Sequence, residues 1–364
     1  MKTGQFGTLQ SLAAEIDRRN STQKDFITGT QNMTVRVEPT PQNQPEFTLQ
    51  TFTNGSGHEA YRLNDLALEQ MGTKAEIPAS YQRKLIDKDP ELLAYNINAL
   101  NHKFPVNRMV RTLDGKARAF LSDKYKRIDN FPVLETILPA ILEKGPDLEV
   151  MSCDVTDTRM YLKVVSPRLQ GEIKVGDILQ AGIIISNSEV GLGSWKMQML
   201  LYTLACMNGM ITGKDVTPGI EKRHLGSKQT EGILYREDTV FANSKAFALQ
   251  VRDTFDSLLD EGNFQKTLER LRATTENRIA PKADPSKVII ELGREVGFTQ
   301  NEGSTIMQHL IRGGDLSQYG LANAVTRYAQ DDEVSYDRST ELEAIGGKIV
   351  DLNGRKLERI LEAA

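Results

Sequence analysis

The residues of this chain that could do chemistry fall into three groups. The first is the polar triplet Asn187-Ser188-Glu189, which interrupts an apolar stretch and runs into Val190-Gly191-Leu192-Gly193-Ser194. Glu189 could serve as a base, and backbone N–H groups around Gly191 and Gly193 could face a phosphate. No other residue presents itself as a partner for Glu189, however. Such triplets also pin loops by hydrogen bonding, and paired glycines also mark close packing. The second group is His58, His102, His224 and His309 with Cys153 and Cys206, none at metal-ligand spacing. Gly209-Met210-Ile211-Thr212-Gly213-Lys214-Asp215 approaches a phosphate-binding loop but is one residue short. It also carries Asp215 where Ser or Thr would meet magnesium. No enzyme, metal or cofactor is expected from these residues.

The third group is basic. Between positions 103 and 127, Lys103, Arg108, Arg111, Lys116, Arg118, Lys124, Lys126 and Arg127 stand against Asp114 and Asp123. That is a local excess of six positive charges in a chain whose net charge is −4. Asp114-Gly115 between alternating segments marks a hairpin with strands 109–112 and 117–121. Alternation puts Arg118 and Phe120 on one face, and Tyr125 sits in a basic loop beyond. Cations interleaved with aromatics suit a surface for single-stranded nucleic acid, phosphates meeting lysine and arginine while a base stacks on Tyr125 or Phe120. The same pattern also describes a solvated sheet face with Phe120 in the core. A second basic cluster, Lys222, Arg223, His224 and Lys228, is flanked by glycines.

The elements that must hold these groups follow from periodicity. Ile178 to Ile185 is short, β-branched and bounded by glycines, which predicts a buried strand. Trp195 to Met207 is apolar on nearly every side, which predicts a buried central helix with Ser194 as N-cap and Asn208-Gly209 as stop. Residues 6–19 read as a short helix, and 33–37 and 47–52 as paired strands. Residues 63–72 and 75–85 read as two helices, either a packed pair or a helix-turn-helix whose second helix enters a major groove. Residues 132–144 read as a helix kinked or split by Pro139. Strands 148–153 and 160–165 follow, with a loop over 166–174. From 240 to 276 the stripe Phe247, Val251, Phe255, Leu258, Phe264, Leu268 and Leu271 faces the core or a partner helix. Residues 279–285 form a linker with Asp284 capping the next helix and Pro285 opening it. Beyond it, breaks fall at Gly297, Gly313-Gly314 and Gly346-Gly347.

The expected fold is therefore α+β: a mixed, mostly antiparallel sheet with a buried central helix, plus a small C-terminal helical unit. The expected division is 1–100 (hairpin and helical pair), 101–276 (central α+β domain) and 284–364 (helical unit). At 364 residues the chain exceeds what one core usually holds. Two cysteines fit a reducing compartment, and no apolar run suits a signal core or a membrane span. The expected setting is the cytoplasm, without membrane contact.

One stretch also carries a likeness. Arg118 to Asn130 (RAFLSDKYKRIDN) resembles the signature of a phage- and plasmid-borne family catalogued only as a domain of unknown function. Segments 176–182, 185–191, 206–210, 320–326 and 341–347 are similar to it as well, so the likeness spans roughly 60–350. Membership implies a gene of prophages and other mobile elements, neighbour to recombination and DNA-metabolism genes, acting in the bacterial host cytoplasm. The strand and helix order also resembles that of single-strand annealing proteins, a likeness of fold only. The reading is a single-stranded DNA-binding protein, an annealing or recombination accessory working as a homo-oligomer, with Arg108, Arg111, Lys116, Arg118, Lys124, Tyr125, Lys126 and Arg127 as its surface. The alternative is a non-enzymatic module that contacts a host protein through the C-terminal unit around 320–326. An unrecognised enzyme at Asn187, Ser188, Glu189, Gly191 and Gly193 is the third reading.

Overall fold

The computed structural model describes residues 1–2, 4–39, 45–53, 57–212, 219–224 and 237–363. Asn54, Gly213 to Asp215 and Lys228, singled out above, lie outside the described residues. The chain opens with helix α1 (Leu9–Thr22), then β1 (Lys24–Gly29), β2 (Met33–Glu38), β3 (Glu46–Thr53) and β4 (Gly57–Leu63). Three helices follow: α2 (Asp65–Lys74), α3 (Ala79–Lys88) and α4 (Pro90–Lys103). The hairpin β5 (Asn107–Leu113) and β6 (Lys116–Ser122) turns through Asp114 and Gly115, both at positive φ as Asp-Gly predicts.

These strands form one six-stranded sheet in the order β1-β5-β6-β4-β3-β2, antiparallel except where β4 meets β6. The sheet thus unites strands from both sides of residue 100. Its outer face packs on α2, α3 and α4 through Leu68, Met71, Leu85, Leu93 and Ile97. The two helices read as a pair are packed helices of this layer. Asn98 on α4 also closes the edge of β2, accepting from the Val35 N–H at 2.8 Å and donating to its carbonyl at 2.8 Å.

Next come α5 (Asn130–Lys144), β7 (Glu149–Val155), β8 (Met160–Glu172), β9 (Ile178–Asn187), β10 (Trp195–Thr203), β11 (Asn208–Ile211) and β12 (Ile220–Lys222). They build a second, antiparallel sheet ordered β11-β10-β9-β8-β7, with β12 beside the first half of β10. The predicted central helix over 195–207 is a strand and a turn. Trp195, Met197, Met199 and Leu201 enter the main core, while Leu200 and Tyr202 enter a smaller cluster on the other face. A strand covered on both faces loses its polar alternation and imitates a buried helix. The α+β class with a largely antiparallel sheet stands; the segment read as its central helix is the strand β10. Residues 166–172 are not a loop but the continuation of β8 past an irregularity between Val165 and Gln170, where Pro167 donates no hydrogen bond. Helix α5 runs on through Pro139 as one element.

The chain ends in α6 (Glu237–Leu258), α7 (Glu261–Glu276), α8 (Pro285–Val296), α9 (Gln300–Gly313), α10 (Gln318–Tyr328), α11 (Tyr336–Asp351) and α12 (Gly354–Leu361). Val251, Phe255, Leu258, Phe264, Leu268 and Leu271 all join the main core with the second sheet, so the stripe faces inward. Asp284 accepts from the Ser286 N–H at 2.8 Å, and Gly297 and Gly314 end their helices in left-handed conformations, as expected. Gly346 and Gly347 do not break a helix. They lie inside α11, where a Cβ on Gly347 would come within 1.9 Å of the Ile211 carbonyl oxygen. Gly347 lets α11 approach β11 closely, and Gly346 lets it approach Thr326 on α10. Among the described residues no helix is long and apolar enough to cross a membrane.

Candidate functional site

The two sheets meet along a seam, and Arg111, Arg118, Tyr125, Asn187, Ser188 and Glu189 lie on it. Its apolar part is small: Met109, Ala119, Leu121 and Val190, with Leu66 and Tyr125 against them. The rest is ionic. Arg111 on β5 is fully buried, pairing with Asp25 on β1 at 3.0 Å and with Asp129 at 2.5 Å. It also donates to the Glu189 carbonyl at 2.8 Å. Burial opposes its charge, but Asp129, Asp25 and Glu189 outweigh that and hold its pKa above the ordinary arginine value.

Arg118 reaches the same place by a bulge. In the β5–β6 register Arg111 faces Ala119 and Thr112 faces Ala117, so Arg118 is the extra residue. That turns it away from the face of Phe120, which lies in the first core, and towards Glu189. The pair measures 2.9 Å, with side-chain exposures of 8% and 7%. A second donor to the Glu189 carboxylate is the Asn130 N–H at 2.7 Å. Asn187 donates to the Ile128 carbonyl and to the Asn130 side chain, both at 2.8 Å, and Ser188 donates to the Thr158 carbonyl at 2.9 Å. Asn187, Ser188 and Glu189 therefore pin the seam, and Glu189 is saturated by donors rather than poised as a base.

The predicted surface divides accordingly. Arg111 and Arg118 are committed to buried partners and cannot meet a phosphate. Lys116 is exposed at the hairpin tip, the length of β6 away from Ser122, roughly 20 Å at a strand's rise. Arg108 is half-buried on β5, and its Nε has no hydrogen-bond partner. Lys124, Lys126 and Arg127 are exposed, Arg127 reaching Asp25 at 3.2 Å. Tyr125 is half-buried. Its hydroxyl donates to the Ser188 carbonyl at 3.2 Å, and its ring stacks on that of His224 at 5.1 Å and 6°. Burial raises the Tyr125 pKa, keeping the phenol neutral.

The second basic cluster, 98 residues further along the chain, arrives at the same point. The Lys126 N–H donates to the His224 carbonyl at 2.9 Å, and the His224 ring contacts the Lys126 carbonyl and the Asn187 Oδ1, each at 3.2 Å. Burial lowers the His224 pKa and Arg111 lowers it further, against the opposing pull of the Lys126 carbonyl, Asp129 and Glu189. Lys222, whose ammonium sits 3.7 Å above the Phe247 ring, also has a lowered pKa, from burial and from the like charge of Lys126.

Beside the Tyr125–His224 pair opens a cleft of about 400 Å³. Leu121 and Ser122 line it from the first sheet, Gly191, Gly193 and Ser194 from the β9–β10 turn, and Lys74 and Arg223 at exposed positions. The glycine loop joins two strands, so no helix N-terminus aims at it and that part of the phosphate reading is lost. Ser194, expected as an N-cap, instead donates to Glu221 at 2.6 Å.

Sequence reasoning missed Asp25, Gln23, Gln70, Lys74 and Asp129. Asp25 lies opposite Arg111 in the β1–β5 register, a signal legible only once β1 is recognised. Gln70 bridges the sheets, donating to the Val190 carbonyl at 2.8 Å and accepting from the Phe120 N–H at 2.7 Å. The segment 320–326, proposed as a host-contact surface, is the buried core of α10, so it cannot serve as one. Among the described residues no group of three or more histidine, cysteine or acidic side chains could hold a metal.

Comparison with known families places residues 119–343 in the family described as Domain of unknown function (DUF932). The match covers more than half of the chain, from β6 through the second sheet to α11, and the chain belongs to this family. No curated protein and no solved structure matches it.

Proposed function

We propose that this protein binds single-stranded nucleic acid on the face around the Tyr125–His224 cleft, with Lys74, Lys126, Arg127, Lys222 and Arg223 as the cations and Lys124 beside them. The observation that carries this reading is the sorting of charge. Asp25, Asp129 and Glu189 are turned into the seam, where Arg111 and Arg118 occupy them. The outer cations lie close together: the Lys222 pKa is lowered by burial first and by the like charge of Lys126 second. A run of phosphates relieves that repulsion, and counterion release supplies affinity. We take DNA as the natural ligand and a mobile element of a bacterium as the setting, with annealing or recombination in the host cytoplasm as the process served.

Fluorescence anisotropy with a labelled oligothymidylate, titrated at several salt concentrations, tests this. Five neutralised phosphates correspond to a slope of log K against log salt of about −3.5. The double variant Lys126→Glu, Arg223→Glu should flatten the slope by at least about 1.4 units, the share of two phosphates. Absence of binding at low salt, or full binding by the double variant, overturns the proposal.

A further inference from the structure

We infer that the cleft itself is a pocket for one nucleotide, so that a bound strand seats a single unstacked unit there; this rests on the nucleic-acid reading. Its volume, about 400 Å³, lies at the small end of small-molecule clefts, which run from roughly 300 to 1,000 Å³. That accommodates a base with its sugar and phosphate, and no duplex. The walls suit the parts. The half-buried Tyr125 ring, backed by the buried His224 ring stacked within 6° of parallel on it, gives the cleft an aromatic wall, and Leu121 adds an apolar contact. A heterocycle gains stacking and burial against such a wall. Opposite stands the β9–β10 turn, where Gly191 and Gly193 present backbone only.

The charges are placed for a phosphate. Lys74, in the last turn of α2, and Arg223, after β12, are both exposed and both line the cleft. Neither forms an ion pair within 4.0 Å among the described residues. Ser122 adds a hydroxyl, already engaged with Asp123 at 3.2 Å. Among the described residues the cleft's lining holds no carboxylate.

Tyr125 offers the test. Tyr125→Ala removes the ring on which the nucleotide would stack, while Tyr125→Phe keeps the ring and gives up only the hydrogen bond from its hydroxyl to the Ser188 carbonyl. Binding of thymidine monophosphate and of inorganic phosphate would be measured by calorimetry on the full chain, beside the oligonucleotide titration, with melting curves confirming that each variant folds. The expected result is saturable nucleotide binding, much weaker phosphate binding, and a loss of roughly tenfold in nucleotide affinity for Tyr125→Ala but not for Tyr125→Phe, the worth of stacking one base. Phosphate binding as tightly as the nucleotide, with Tyr125→Ala unaffected, would reduce the cleft to an anion site and overturn the inference. Oligonucleotide binding without nucleotide binding would overturn the pocket and leave the surface reading intact. Nucleotide binding without oligonucleotide binding would do the reverse.

Discussion

Arg111 separates the two roles a cation can have in this protein. In Arg111→Ala the seam loses a guanidinium that is 0% exposed, and with it ion pairs to Asp25 and Asp129 and the donor to the Glu189 carbonyl. Breaking a buried pair from one side costs about 3–5 kcal/mol, because a carboxylate is left in a dry site. Arg127 still reaches Asp25 and the Asp129 side chain is 20% exposed, so the low end applies, about 3 kcal/mol. With a urea slope near 3 kcal/mol per molar, the unfolding midpoint should fall by about 1 M. The chain carries its own probe: its single tryptophan, Trp195, is fully buried in the second sheet and its emission reports unfolding. The oligonucleotide affinity of the folded variant should stay close to that of the wild type, whereas Lys126→Glu, Arg223→Glu should keep its midpoint and lose affinity. An Arg111→Ala protein of unchanged midpoint that no longer bound nucleic acid would refute the burial argument and return Arg111 to the surface.

Two further perturbations test the packing. Gly347→Ala places a Cβ 1.9 Å from the Ile211 carbonyl oxygen, so α11 must retreat from β11 at a cost of roughly 1–3 kcal/mol. Gly313→Ala meets nothing within 4 Å and should be neutral or slightly stabilising; equal melting temperatures for the two variants would refute the close approach. Thiol titration of the native protein at neutral pH should find Cys206, which is exposed, and leave buried Cys153 until unfolding. Burial, then the nearby Asp154, pushes the Cys153 thiol up to about 11 from 9.0. A raised folded value means that its stabilising contribution is complete below pH 9 and is lost as pH rises towards 11. Cys153→Ala should flatten that alkaline limb, and an unchanged limb would show that Cys153 does not set it.

What the sequence announced, and what it hid, divide along physical lines. Asp114-Gly115 announced its hairpin because an αL-prone pair between alternating strands has one common solution. Gly297 and Gly314 announced helix ends for the same local reason. Trp195 to Thr203 hid its strand because both faces are buried, and Gly346-Gly347 imitated a break because a helix pressed closely against a neighbouring helix and strand also needs glycine. Even so, the alternation Trp195, Met197, Met199 around Lys196 and Gln198 was present. Its period of two weighed less than the length of the apolar run. β1 passed unread because its six residues, Lys24 to Gly29, are half polar, and with it passed the partner of Arg111.

The site was half legible for a related reason. A charge excess counted along the chain differs from a field, because fields sum over space and partners come from anywhere. The excess over residues 103–127 is neutralised in part by Asp25 from β1 and by Glu189 from the end of β9, and Arg118 joins that network only because a bulge turns it round. The positive face instead gathers Lys74, Lys126 and Arg223 from three separate segments, held together by the backbone contact between Lys126 and His224. Buried arginines and exposed lysines thus divide the work: the first hold Asp25, Asp129 and Glu189 in the seam, the second stand on the outer face, and a change in one set should leave the role of the other in place.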